Sequence, residues 1–107
     1  MTKVEKLIKL IMELKKMNEP EEKEGVIGFS HKRLFLTSEK FTDLINDYDI
    51  KRRSTQSYPI KFKKEVAGYY IFSIASVLEA INHINKHQLL NILPKLSEYL
   101  KEENKND

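Results

Sequence analysis

Between Tyr58 and Ile74 the chain changes its period. YPIKFKK (58–64) sends Ile60 and Phe62 one way and Lys61 and Lys63 the other, the two-residue repeat of a half-buried strand. YYIFSI (69–74) is β-branched and aromatic, and Gly68 supplies a flexible turn position. Together the two runs predict a β-hairpin whose tip lies near Lys64–Gly68. Helical periods stand on both sides of it. A hairpin set among helices excludes an all-β fold, and the class expected is α+β, mostly helical.

The helical periods are legible from their caps. Thr2 and Glu5 have capping-box spacing, followed by Val4, Leu7, Ile8, Ile11 and Leu14, which predicts a helix over about 2–17. Leu10, Met12 and Met17 widen its apolar stripe, so part of it faces either its own domain or a second subunit. NEPEEKEGVIG (18–28) reads as a loop, and RLFLT (33–37) as a short strand. Thr37 or Ser38 caps a helix over about 38–48, with Phe41, Leu44, Ile45 and Tyr48 on one buried face. IKRRSTQS (50–57) reads as a short helix anchored by Ile50 and ended by Pro59. Ser76 and Glu79 repeat the capping-box spacing. Val77, Ile81 and Ile84 form one stripe after them, and Leu89, Ile92, Leu93, Leu96 and Leu100 a second. Pro94 either kinks one helix or opens a new one.

The 107 residues fit one domain, with apolar residues (40%) sufficient for one small core. There are no cysteines, which removes disulfides, thiol catalysis and Cys-ligated zinc. Three glycines cannot build a dinucleotide or Walker loop. No apolar run is long enough to span a membrane and no signal region opens the chain, so a cytoplasmic protein is expected.

Charge is unevenly placed. Residues 1–24 are neutral, with six Lys and six Glu; residues 25–64 carry nine basic and four acidic side chains; residues 65–107 carry four and six. Within 51–64 there are six cations and no carboxylate, the composition of a surface that meets a polyanion.

The stretch FLTSEKFTDLINDYDIKRRSTQ, with the hairpin behind it, resembles the winged helix-turn-helix family of DNA-binding domains over about residues 2–74. Phe41, Leu44 and Ile45 match the buried positions of that family's second helix, and Ile50 its aliphatic anchor. Lys51, Arg52, Arg53, Ser54, Thr55 and Gln56 match the exposed positions of the recognition helix, and the hairpin 58–74 matches the wing. The resemblance implies a winged helix-turn-helix-like core, with a helical part over about 76–103 added to it within a single domain.

Duplex recognition needs cations for phosphates and hydroxyl or amide groups for base edges. Lys51, Arg52, Arg53, Ser54, Thr55, Gln56 and Ser57 supply both, and Lys61, Lys63 and Lys64 extend the basic surface along the wing. Tyr58 reads as a cap on the sheet. Tyr69, Tyr70 and Phe72 read as sheet and core residues, since nothing in the sequence sets them beside the cations. His83 and His87 share a helix face but lack a third ligand, so they read as two exposed histidines and no metal or other cofactor is implied. His31 adds to the basic face or sits in a solvent loop. No nucleophile–base pair or carboxylate pair points to an enzyme or to a small-molecule substrate. The expectation is a dimeric, sequence-specific binder of double-stranded DNA, a small regulator or accessory factor of a plasmid or phage acting in replication, transfer or transcription control. The alternative is a protein-binding module or an inhibitor of a host enzyme working through its apolar helix faces.

Overall fold

The computed structural model describes residues 1–53 and 57–83. Helix α1 (Lys3–Lys15) begins where expected, and Thr2 Oγ1 accepts from the Glu5 N–H at 3.1 Å. Its buried line is Leu7, Leu10, Ile11 and Leu14. Val4, Ile8 and Met12, on one flank of that line, remain exposed. A short 3-10 turn (Pro20–Glu22) follows, tied back to the helix by the Lys23–Glu13 ion pair at 2.8 Å.

Strands β1 (Val26–Ser30) and β2 (Arg33–Leu36) form a hairpin that the loop reading of 18–28 did not anticipate. His31 and Lys32 make its two-residue turn with φ of +49° and +63°. A turn of this hand matches the twist of the strands, but it is ordinarily signalled by Asn-Gly or Asp-Gly. Gly25, just before β1, is obligatory: its φ is +80°, and an added Cβ would lie 2.7 Å from the Lys40 side chain.

Helix α2 (Ser38–Leu44) is capped by Thr37, whose Oγ1 accepts from the Lys40 N–H at 3.2 Å. It ends one turn sooner than the periodicity implies, because Ile45 is already extended. Ile45 and Tyr48 nevertheless pack on the core. The described chain then runs as β3 (Asp49–Arg52), β4 (Ile60–Val66), β5 (Tyr69–Ala75) and α3 (Val77–His83). The β4–β5 hairpin is the expected one, turning at Ala67 and Gly68, both with positive φ. The capping box at α3 is complete: Glu79 N–H donates to Ser76 Oγ at 3.1 Å and Ser76 N–H to the Glu79 carboxylate at 3.4 Å.

The five strands lie in the order β1-β2-β5-β4-β3, with β2 and β5 parallel and the other pairs antiparallel. This overturns the expected fold, a mostly helical winged helix-turn-helix-like domain. The start of the supposed recognition helix, residues 50–52, lies instead in strand β3, whose residues Asp49–Arg52 pair with Lys63–Ile60. Ile50 alternates with Lys51 across β3 as Phe62 does with Lys61 across β4, the two-residue period of a strand that adds to the free edge of β4. The supposed wing forms two inner strands of the sheet. Nor is the fold mostly helical: among the described residues strands hold as many residues as α-helices. Expectations for Ile84, His87, the Leu89–Leu100 stripe and Pro94 lie outside the described residues.

One face of the sheet is the core. Leu34 and Leu36 of β2, Ile60 and Phe62 of β4, and Ile71 and Ala75 of β5 are fully buried with α1, α2 and α3 in one cluster. Three rings knit α2 to the sheet: Phe41 stacks on Phe62 at 5.8 Å, and Tyr48 meets both edge-on at 5.2 and 5.1 Å. Burial pushes the Tyr48 phenol up to about 12, so the core holds it neutral. Its stabilising effect is full below pH 10 and is lost as pH rises toward about 12. Ser73 is the exception in this face. It is fully buried among the inward side chains of β5, and its hydroxyl has no hydrogen-bond partner among the described residues. Such a group costs about 1–3 kcal/mol. Ser73→Ala is therefore expected to stabilise the domain by about 1 kcal/mol, seen in urea unfolding as a higher midpoint with an unchanged slope.

Candidate functional site

The other face of the sheet carries no helix among the described residues. Its side chains follow from strand register. One row across the sheet reads Gly28, Phe35, Phe72, Lys63, Asp49. The next rows read Ser30, Arg33, Tyr70, Glu65 and Ile74, Lys61, Lys51. Four cations, Arg33, Lys51, Lys61 and Lys63, therefore surround three half-buried rings, with Asp49 and Glu65 the carboxylates of the same rows.

The rings and cations touch. Phe35 stacks on Phe72 with centroids 4.7 Å apart and planes 18° from parallel, and Tyr70 lies 5.6 Å from Phe72. The Arg33 guanidinium stands 5.1 Å from the Tyr70 ring and 5.4 Å from Phe72. Lys61 Nζ reaches both rings from the β4 side at 5.2 Å. Contacts of this kind are worth about 0.5–1 kcal/mol at exposed sites; here they hold the cations over the middle of the sheet. A hydrogen bond to Lys63 and the like charge of the same ammonium hold the Lys51 amine below its ordinary value, with a smaller push from Lys61. Beside Phe35, the bare backbone of Gly28 leaves a shallow depression of about 310 Å³, lined also by Ser30, His31, Arg33 and Phe72.

The residues expected to bind DNA are thereby sorted. Lys51, Lys61 and Lys63 converge on the open face. Lys64 falls on the opposite side of β4 and pairs with Asp47 at 3.7 Å. Arg53 closes the loop back to β4: its backbone N–H donates to the Pro59 carbonyl at 2.7 Å and its guanidinium to the Tyr58 carbonyl at 3.1 Å. Ser57 is exposed in that loop. Arg52 pairs through its backbone with Ile60, whereas Ser54, Thr55 and Gln56 lie outside the described residues. Arg33, Phe35, Tyr70 and Phe72 were missed as members of a site. The signal for them was present in the alternation of Leu34 and Leu36 with Arg33 and Phe35, and of Ile71 and Ser73 with Tyr70 and Phe72. What the sequence could not supply was the pairing of β2 beside β5.

The helix side has a larger depression, about 710 Å³, where Lys3, Lys40, Glu24, Glu39 and Asp43 mix both signs of charge. At its edge Ser38 Oγ and His83 Nδ1 lie 2.6 Å apart. Ser38 is only 2% exposed, so the pair joins α3 to α2 and offers no accessible nucleophile. His83 is accordingly a partly buried, hydrogen-bonded residue and not an exposed one. Among the described residues no three His, Asp or Glu side chains come together as metal ligands, and no helix is long and apolar enough to cross a membrane.

Comparison of the chain with protein-family models, with curated proteins and with solved structures finds no match in any of the three.

The crowding of Lys51 has a measurable consequence. Its depressed amine means that repulsion opposes the fold while the group is charged, and that this repulsion fades as pH rises through its folded value. Replacing Lys63 with Gln should move the Lys51 side-chain titration, followed by NMR at its ε-methylene, back toward the ordinary lysine value. Raising ionic strength, which shortens the screening length to about 3 Å at 1 M, should shrink the difference between the two proteins.

Proposed function

We propose that this chain binds nucleic acid across the open face of its sheet. The observation that carries the reading is the convergence of Arg33, Lys51, Lys61 and Lys63 on Phe35, Tyr70 and Phe72, on the side of the sheet opposite the helices. Cations neutralise phosphates and release their counterions, and rings meet bases; the two together suit a polymer that carries both groups. An acidic protein would use the cations but would leave the ring row without a role. With residues 49–52 in strand β3, support for the DNA-binding expectation moves to this face. The experiment is an anisotropy titration of labelled oligonucleotides over a salt series. Binding should weaken linearly in log–log form, and changing Lys51, Lys61 and Lys63 together to Gln should lower the slope by about 2–3, with an unchanged far-ultraviolet circular dichroism spectrum. Salt-independent binding, or none at low salt, would overturn the reading.

A second surface favours contact with another protein chain. Val4, Ile8 and Met12 form an exposed line along α1, 55%, 39% and 57% accessible. This flank supports the dimer expected from the surplus of apolar helix surface. Light scattering at micromolar concentration should report a dimer, and Ile8→Lys with Met12→Lys should return it to a monomer that still unfolds cooperatively.

A further inference from the structure

Resting on the nucleic-acid reading of the open face, we infer that the strand it takes is single, and that one unpaired base stacks against Phe35 in the depression over Gly28. The row Gly28–Phe35–Phe72–Lys63 is the basis. Phe72 and Phe35 already form a stack, 4.7 Å between centroids. The position next to Phe35 in that row is Gly28, where an added Cβ would meet nothing within 4 Å among the described residues. The stack therefore has an open end, and the depression of about 310 Å³ beside it is bordered by Phe35 and Phe72. A planar base placed there extends the stack by one ring.

The polar surroundings suit the rest of a nucleotide. Ser30, His31 and Arg33 border the same depression and offer hydrogen bonds to a base edge or a phosphate. Lys63, Lys61 and Lys51 continue from Phe72 across β4 and β3, where the following phosphates would run. The two carboxylates of the face, Asp49 beside Lys63 and Glu65 beside Tyr70, stand at the far side of the sheet from Gly28. A duplex is a poor fit. Its bases are stacked on one another and present only edges, so its phosphates could meet the lysines while the rings stayed unused. Unpaired bases on a sugar–phosphate chain are the shared chemistry, whether the sugar is ribose or deoxyribose.

The test compares labelled oligothymidylate and oligouridylate, each of about 12 nucleotides, with a duplex of the same length at physiological salt. At least one single strand should bind about tenfold or more tighter than the duplex, and the tighter of the two assigns DNA or RNA. Phe35→Ala should weaken single-strand binding by roughly five- to one-hundred-fold while leaving the salt slope and duplex binding unchanged. Gly28→Leu fills the depression with every ring and cation in place and should do the same, so a fold defect in the first variant does not decide the matter. If the duplex binds as tightly as both single strands, or if neither variant discriminates, the inference fails while the salt-dependent binding still stands. If no oligonucleotide binds in a salt-dependent way, the broader reading fails with it.

Discussion

Strand β5 sets both surfaces of this protein. It lies at the centre of the sheet, parallel to β2 on one side and antiparallel to β4 on the other. Its strict alternation sends Tyr69, Ile71, Ser73 and Ala75 toward the helices and Tyr70, Phe72 and Ile74 away from them. A slip of one residue would turn every one of these side chains over, so the register that builds the core also builds the open face.

The open face holds large rings beside charged groups, and this works because each tempers the other. Tyr70 and Phe72 are shielded by the stems and heads of Arg33 and Lys61, so the apolar surface is not left as a bare patch. The lysines in turn repel one another, as the depressed Lys51 amine records. A polyanion laid across the face would relieve that repulsion, which is a physical reason for such a cluster to favour binding rather than stability. The charged edge strand β3 also discourages further strand pairing.

Segments whose signals are local were legible. The helix that begins after Thr2, the Ser76–Glu79 capping box and the β4–β5 hairpin each depend on contacts within a few residues, and each was found near its expected place. The hairpin's inward and outward sides were also read correctly: Ile60 and Phe62 are buried, and Lys61 and Lys63 are not. Segments that carry no local strand or turn signal of their own were misread. VIGFS became a strand because β2 pairs with it, across a turn of His31 and Lys32 that carries none of the usual turn residues. DIKR became a strand because β4 offered it an unpaired edge, although its composition equally suits a polar helix.

The sequence by itself determined the α+β class, the caps, the hairpin and the basic character of the 51–64 stretch, because caps, turns and two-residue periods are short-range physics. It did not determine which cations would stand together. Lys64 differs from Lys63 by one place in the chain and lies on the other side of the sheet, and Arg53 is held by the carbonyl of Tyr58. Arg33 and Phe35, by contrast, come from β2, some thirty residues before β4 in sequence, and join the lysines only because β2 and β5 run side by side. That parallel pairing has no local signature, since the two strands are separated by α2, β3 and β4. Only the assembled sheet brought the rings of one segment under the cations of another.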